Sequence, residues 1–205
     1  KQWVAKNLPD IKVQKTYFIS KDLQKLKRFL QESKLKRFIL KNTQASGMTT
    51  IVNSRSKYST NELVKIANEY LHTCKQCETQ PHYKYNDPKI MIEEFLDQNI
   101  KDYKFHVIDG KIKVIQVDSN RFDDHCRNFY DDNFNYLSIK KNISKCSSLD
   151  IKPKSLSLMK KACMDFYKKT NFSFVRVDFY DIGGFPYFGE FTFTPANCKG
   201  DFKFI

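Results

Sequence analysis

Two stretches late in the chain decide the fold: Val175-Arg-Val-Asp-Phe-Tyr180 and Tyr187-Phe-Gly-Glu-Phe-Thr-Phe-Thr-Pro195. Both are rich in β-branched and aromatic residues, which favour strands. The segment between them, Asp181-Ile-Gly-Gly184, has the polar and small residues of a tight turn. We therefore predict an antiparallel hairpin with its turn at residues 181–184.

The polar residues of this hairpin indicate a metal-binding site. Side chains alternate between the two faces of a strand, so Arg176 shares a face with Asp178, and Glu190 shares a face with Thr192. Two carboxylates on one face repel each other unless a cation lies between them, and Mg²⁺ prefers carboxylate and phosphate oxygens. We predict magnesium ligands at Asp178, Glu190 and Thr192. The alternative is a salt bridge between Arg176 and one acid on a solvated face.

The composition is that of a folded protein. Of 205 residues, 40% are hydrophobic and 15% are aromatic, which excludes a disordered chain. No run approaches the roughly 20 apolar residues that cross a bilayer, and no apolar leader precedes the first motif, so we expect a soluble protein. The lone Cys74-Lys-Gln-Cys77 motif lacks the second pair of a structural zinc site. Six cysteines permit disulfides, but a chain with its own core does not need them, and we expect a reducing cytoplasm.

Positive charge is concentrated at the start of the chain. Residues 1–41 hold twelve Lys or Arg against three acids, within a net charge of +13. A run such as residues 21–37 is commonly a solvated helix face. The functional alternative is that these cations attract nucleotide phosphates or an anionic polymer, or that they bind the protein peripherally to a membrane surface. We expect no nucleic-acid partner.

The remaining elements predict an α+β protein with two lobes and mainly antiparallel sheets. We expect a basic segment over 1–36, a small lobe over 37–88 and a large lobe over 89–205. Three helices are predicted. The first lies near residues 21–33 and is capped by Ser20, the second begins at a capping box formed by Ser59 and Glu62, and the third lies near residues 155–169. Further strands are predicted at 37–41, 48–52, 89–96, 103–108 and 111–117, the last two joined by an Asp109-Gly110 turn.

A lysine before a loop of small residues indicates phosphate binding. Lys41 ends a predicted strand, and the loop that follows contains Ser46 and Gly47. A phosphate needs a point charge and backbone N–H groups from a compact loop, and this segment supplies both. A surface lysine is the alternative.

The strand Ile90-Met-Ile-Glu-Glu-Phe-Leu96 is apolar but interrupted by two acids. Such a segment could line an adenine slot, where backbone groups read the edge of the base. An ordinary strand end is the alternative.

Together these segments resemble the ATP-grasp superfamily, in particular the polysaccharide-associated branch typified by teichuronopeptide-biosynthesis (TupA-like) proteins. The resemblance covers roughly residues 37–205. It is carried by Phe38-Ile-Leu-Lys-Asn42 with Ala45-Ser-Gly47, Lys89-Ile-Met-Ile-Glu-Glu-Phe-Leu96, Asp102-Tyr-Lys-Phe105 with Asp109-Gly-Lys111, Arg121-Phe122, residues 125–130, Phe174-Val-Arg-Val-Asp-Phe-Tyr180, and the stretch 187–195 quoted above.

The resemblance implies a nucleotide cleft between the lobes and a role for each matching position. Lys41 would contact the α and β phosphates, and residues 45–49, with Ser46 and Gly47, would close over them. Adenine would be held by backbone groups of Glu93, Glu94, Phe95 and Leu96, and Asp102 lies where the ribose-binding acid falls. The positions implied for the chemistry are Lys104 and Arg121 at the β and γ phosphates, Arg176 beside the phosphorylated substrate, and Asp178, Glu190 and Thr192 at magnesium.

The implied reaction is an ATP- and Mg²⁺-dependent carboxylate–amine ligation through an acyl phosphate, acting on an anionic sugar or polysaccharide acceptor. The superfamily usually has Glu-x-Asn where this chain has Glu190-Phe-Thr192, and a hydroxyl is the weaker ligand. The forty residues before Lys41 are too few for the superfamily's acceptor-binding domain, so that domain is expected to be short or absent. A partner domain or a homodimer would then complete the site.

Two alternatives remain at this point. A sugar or glycan kinase would need a general base, for which His106, Asp123 and His125 are candidates. A non-catalytic module that binds nucleotide or glycan fits Thr192 and the short amino-terminal part.

Overall fold

The computed structural model describes residues 1–44, 47–73, 85–96, 100–120, 124–140, 143–195 and 203–204. In chain order the elements are α1 (Gln2–Asn7), β1 (Lys12–Val13), β2 (Thr16–Ser20), α2 (Leu23–Glu32), β3 (Phe38–Asn42), β4 (Thr49–Val52), α3 (Thr60–His72), β5 (Ile90–Glu94), β6 (Asp102–Ile108), β7 (Lys111–Ser119), β8 (Cys126–Tyr130), β9 (Tyr136–Leu137), β10 (Ile139–Lys140), α4 (Leu156–Thr170), β11 (Phe174–Ile182), β12 (Phe185–Thr192) and β13 (Lys203–Phe204). The predicted α+β class with mainly antiparallel sheets is confirmed.

The chain forms two compact units, Lys1–Val13 with Asp97–Ile205, and Gln14–Leu96. This division differs from the three segments predicted from the sequence. The first residues belong to the larger unit because Val4 and Leu8 are buried in its core and β1 adds a parallel strand beside β12.

The smaller unit is a four-stranded sheet in the order β2-β5-β3-β4. Neighbouring strands are antiparallel, and α2 and α3 pack on one face. The alternation of β3 explains this packing, since Phe38 and Leu40 are fully buried against Leu26 of α2 and Leu63 of α3.

The larger unit contains a seven-stranded sheet in the order β1-β12-β11-β6-β7-β8-β9. One face packs against α4 through a core that includes Phe105 and Val177 of the sheet. The predicted inward face of this helix is confirmed, because its buried residues are Leu156, Met159, Ala162, Cys163 and Phe166. The opposite face of the central strands carries polar residues.

The helix ends agree with the predicted caps in one case and differ in another. Ser59 and Glu62 form the predicted capping box at α3. The cap of α2 is Asp22 rather than Ser20, because the Asp22 carboxylate accepts hydrogen bonds from two backbone N–H groups of the first turn. Ser20 ends β2, and its hydroxyl accepts from the N–H of Asp22.

The predicted Asp109-Gly110 turn joins β6 and β7 and requires its glycine. Gly110 has a φ of +70°, and a Cβ there would lie 2.5 Å from the ring of Tyr167 on α4. The turn is therefore fixed both by its backbone and by a side chain of the helix beneath it.

The expectation of reduced cysteines is wrong for one pair. Cys126 of β8 and Cys146 form a disulfide, which ties residues 143–150 to the sheet. Cys163 is free and buried in the core. Cys74 and Cys77 lie outside the described residues. None of the described helices is long and apolar enough to cross a membrane.

Candidate active site

The central strands of the larger sheet bring the predicted hairpin residues together with β6. In the register of these strands, Asp178 of β11 lies between Glu190 of β12 and Lys104 of β6. Two residues earlier on β11, Arg176 lies between Thr192 of β12 and His106 of β6. These side chains face away from α4, because the alternating residues Val175, Val177 and Phe179 enter the core.

Asp178 is the centre of this cluster. Its side chain is 3% exposed and is held by two cations. Arg176 donates from Nε to Oδ1 and from Nη2 to Oδ2, both at 2.7 Å. Lys104 donates from Nζ to Oδ2 at 2.8 Å. The salt bridge that the sequence left as the alternative is therefore present, but with a buried acid rather than on a solvated face, and as a bidentate pair joined by a second cation.

One nitrogen of Arg176 lies where oxygens of all three predicted metal ligands converge. Its Nη2 donates to Asp178 Oδ2 at 2.7 Å, to Glu190 Oε1 at 2.9 Å and to Thr192 Oγ1 at 3.0 Å. The Thr192 hydroxyl also lies 3.0 Å from Glu190 Oε1, to which it donates. Two carboxylates and a hydroxyl thus surround a single positive group.

A glycine allows the close approach of the two strands at this point. The pairing of β11 with β12 shifts its register between Asp178 and Phe179. A Cβ on Gly189 would lie 2.9 Å from the carbonyl oxygen of Asp178, closer than side-chain carbons normally approach backbone. The absence of a side chain at residue 189 therefore places Glu190 opposite Asp178.

The ionisation of the cluster follows from these contacts. Burial acts to raise the pKa of Asp178, but the charges of Lys104 and Arg176 and their hydrogen bonds outweigh it, so the pKa lies below its ordinary value. Burial acts to lower the pKa of Arg176, and the charges of Asp178 and Glu190 raise it above its ordinary value. Both shifts favour the charged forms of Asp178 and Arg176.

A second network, which the sequence did not predict, extends the polar face to β8. Asp118 of β7 is buried and pairs with Arg127, whose Nη2 lies 3.0 Å from Oδ2. Gln116 donates to both oxygens of this carboxylate, and His125 Nε2 lies 3.6 Å from it. Burial raises the pKa of Asp118, but Arg127 and the other donors bring it below its ordinary value. The alternation of Gln116 and Asp118 along β7 was the available signal.

The other predicted residues of the larger unit have different surroundings. Asp102 is buried, and its Oδ2 lies 3.5 Å from Lys104 Nζ. Of the candidate bases, His106 is buried beside Arg176 in the register, and His125 lies near Asp118. Arg121 and Asp123 lie outside the described residues.

The smaller unit contains Lys41 and the predicted adenine-binding segment, residues 93–96. The Lys41 ammonium forms an ion pair with Glu93, whose side chain is fully buried. The backbone N–H of Glu94 donates a hydrogen bond to the carbonyl oxygen of Lys15, and its carbonyl oxygen accepts one from the side-chain amide of Gln14. The Glu94 carboxylate accepts a hydrogen bond from the backbone N–H of Lys15 at 3.2 Å.

Phe95 and Leu96 follow β5 as the last residues of this unit, and the ring of Phe95 lies under Arg37 at 4.2 Å. Gly47 has a φ of +78°, as expected of a tight loop, and Ser46 lies outside the described residues.

The family model described as TupA-like ATPgrasp matches residues 6–204. The chain belongs to this family. The match includes the strands that carry Lys41, Lys104, Asp178 and Glu190.

Solved structures with the same fold include ligases. The D-alanine-D-alanine ligase from Helicobacter pylori matches with a TM-score of 0.55 at 17% identity, over 96% of this chain and 53% of that chain. The corresponding ligase from Bacillus anthracis matches with a TM-score of 0.50 at 17% identity, over 96% and 56%. The ATP-grasp ligase PsnB, complexed with a minimal precursor, matches with a TM-score of 0.50 at 13% identity, over 94% and 50%.

The chain spans about half the length of these solved proteins. At such identities the likeness shows the fold alone. A comparison with curated proteins finds no match.

The oxygens around Arg176 fit a magnesium ion that is also held by phosphates. Among the described residues, no three His, Cys, Asp or Glu side chains are grouped closely enough to hold a metal by themselves. Asp178 and Glu190 supply two hard carboxylates, and Mg²⁺ commonly takes its remaining ligands from water and phosphate. The residues present therefore fit a metal that binds together with a nucleotide.

Proposed function

We propose that the chain forms the ATP- and Mg²⁺-binding part of a carboxylate–amine ligase. The observation that carries the proposal is the convergence of Asp178, Glu190 and Thr192 oxygens on one nitrogen of Arg176. Membership of the TupA-like ATP-grasp family supports it. A cluster in which cations already balance buried Asp178 and exposed Glu190 is suited to exchanging one positive group for another.

In this proposal the residues of the chain hold and neutralise a phosphoryl group during its transfer. Magnesium, when bound at Asp178 and Glu190, supplies positive charge to the phosphates. Arg176 then leaves those carboxylates and contacts the transferred phosphoryl group. Lys104 likewise leaves Asp178 and contacts the β and γ phosphates. Lys41, held by Glu93, contacts the α and β phosphates. Such positioning and charge neutralisation are the main contributions a protein makes to phosphoryl transfer.

The proposed chemistry has two steps. An acceptor carboxylate oxygen attacks the γ-phosphorus of ATP, ADP leaves, and an acyl phosphate forms. An amine then attacks the acyl carbon and displaces inorganic phosphate. The proton that the amine loses needs a base. We assign this role to His106 of β6, which is buried and lies opposite Arg176 in the register of β6 and β11.

The proposed acceptor is an anionic sugar or surface polysaccharide. The excess of Lys and Arg in residues 1–41 supports an anionic partner, because clustered cations attract anions from solution. The need for ATP supports a cytoplasmic location, whereas the Cys126–Cys146 disulfide argues against a reducing compartment. A partner domain or a second copy of the chain would supply further acceptor contacts.

Nucleotide binding tests the proposal most directly. We expect ATP with Mg²⁺ to raise the melting temperature of the protein, since a ligand that binds the native state stabilises it. The Asp178→Asn variant should lose this response, whereas Asp10→Asn should keep it, because exposed Asp10 pairs only with exposed Lys161 among the described contacts. No stabilisation and no calorimetric binding at millimolar ATP–Mg²⁺ would refute the proposal. ADP release that needs an acceptor but no amine would favour the kinase alternative.

A further inference from the structure

The ammonium of Lys104 lies between two carboxylates. Its Nζ is 2.8 Å from Asp178 Oδ2 and 3.5 Å from Asp102 Oδ2. Asp102 and Lys104 are two residues apart on β6 and therefore share the polar face. All three side chains are less than a tenth exposed. Lys104 thus has one close partner and a second acid within reach of a small side-chain rotation.

A divalent cation at Asp178 Oδ2 competes with two cations of the protein, Lys104 and Arg176. Asp178 Oδ2 already accepts from both Lys104 Nζ and Arg176 Nη2, so a metal at this oxygen must displace a positive group. A buried ammonium that loses its acid is strongly disfavoured unless another acceptor is near. The displaced lysine therefore needs a neighbouring carboxylate.

Asp102 is better placed for this than Asp118, the acid opposite it on β7, because its Oδ2 already lies 3.5 Å from Lys104 Nζ. Asp118 is engaged by a bidentate contact from Arg127 and by two hydrogen bonds from Gln116. The charge of Asp118 is thus already matched within its own network.

We propose that Asp102 is a positioning residue that holds Lys104 beside the phosphates when a divalent cation takes its place at Asp178. The proposal rests on the proposed function, because it assumes that a metal binds at Asp178. Asp102 makes metal binding easier by accepting the displaced ammonium, and it keeps Lys104 aimed at the polyphosphate. This role differs from the ribose contact that the family resemblance implies for the same residue.

A double-mutant cycle on metal binding tests this inference without any turnover. The affinity for Mn²⁺ is measured by electron paramagnetic resonance, with no nucleotide, for the wild type, Asp102→Asn, Lys104→Met and the double variant. We expect Lys104→Met to tighten Mn²⁺ binding, because the competing ammonium is gone. Asp102→Asn should weaken binding about fivefold in the wild type and leave it unchanged in the Lys104→Met background, since Asp102 then has no lysine to hold.

A simple electrostatic role would give a different pattern. If Asp102 only adds negative charge, Asp102→Asn weakens Mn²⁺ binding equally with and without Lys104, and additive effects overturn the proposal. The Asp102→Glu variant keeps the carboxylate and should keep near wild-type affinity; weakening as large as that of Asp102→Asn would also contradict it. Should Lys104→Met fail to fold by circular dichroism, Lys104→Gln takes its place in the cycle.

The outcome is separable from that of the proposed function. A protein that binds ATP–Mn²⁺ but shows an additive cycle refutes only the role of Asp102. A protein in which no variant binds Mn²⁺, with or without ADP, refutes both the metal site and this inference. If the wild type binds Mn²⁺ only with ADP present, the cycle is measured with ADP, and additive effects overturn the role of Asp102 as before.

Discussion

Replacing Arg176 by methionine should destabilise the larger unit because it leaves a buried carboxylate short of positive charge. Arg176 makes a bidentate contact with Asp178, at 2.7 Å for both bonds. Its side chain is 16% exposed and that of Asp178 is 3% exposed, so water replaces little of the lost contact. Methionine keeps most of the length of the side chain and removes the charge.

The size of the effect follows from what remains around Asp178. Removing one partner of a buried ion pair costs about 3–5 kcal/mol. Lys104 still donates to Asp178 at 2.8 Å, so we reduce the expected loss to about 2–3 kcal/mol. The second contact, with Glu190, adds little, because that side chain is 60% exposed and an exposed pair contributes about 0–1 kcal/mol. The melting temperature should fall by roughly 5–10 °C.

Urea unfolding followed by circular dichroism measures this loss. Arg28→Met is the matched control, since Arg28 pairs with Glu32 on an exposed helix face and its removal should produce no measurable change. Adding Asp178→Asn to Arg176→Met should recover much of the stability, because the carboxylate that needed the cation is then gone. A stable Arg176→Met protein, or a double variant no more stable than Arg176→Met alone, would show that this network is not the buried charge cluster described above.

Three further predictions concern other parts of the molecule. Lys41→Met should destabilise the smaller unit by about 2–4 kcal/mol, with recovery on adding Glu93→Gln, because fully buried Glu93 loses its cation; chemical denaturation of the pair of variants measures both. Gly110→Ala should cost at least about 1 kcal/mol more than Gly183→Ala, because both have positive φ but only Gly110 would meet a tyrosine ring; equal melting temperatures would contradict this. The pKa of Asp118 is lowered in the folded state, so its stabilising contribution is present above the unfolded pKa near 3.8 and is lost as pH falls through the lower folded value. Urea midpoints from about pH 5 to pH 2 should therefore fall less steeply in Asp118→Asn.

Local sequence was sufficient for the hairpin that carries the proposed metal ligands. The alternation of polar and apolar residues fixed the faces of β11 and β12, and the Gly-Gly turn fixed their pairing. Arg176, Asp178, Glu190 and Thr192 accordingly lie together, as predicted. The capping box of α3 was equally visible, because it depends on residues only three positions apart.

Features that depend on distant residues were not predictable in this way. Lys104 reaches Asp178 only because β6 pairs with β11 across more than seventy residues of sequence. Strand β8 has few β-branched residues, and its place is set by pairing with β7 and by the disulfide from Cys126. The first strand was missed because Lys12 and Val13 form only a two-residue edge beside β12.

The charge balance of the cluster predicts that the metal and the polyphosphate bind cooperatively. Asp102, Asp178 and Glu190 face two cations, Lys104 and Arg176, so their charges nearly cancel before any ligand arrives. A divalent cation alone would add positive charge to a group that is already almost neutral, and we expect it to bind weakly. A polyphosphate alone would find both cations engaged by carboxylates. In the proposed function, a metal bound to the carboxylates would free Lys104 and Arg176 for the phosphates, so each ligand should strengthen the binding of the other.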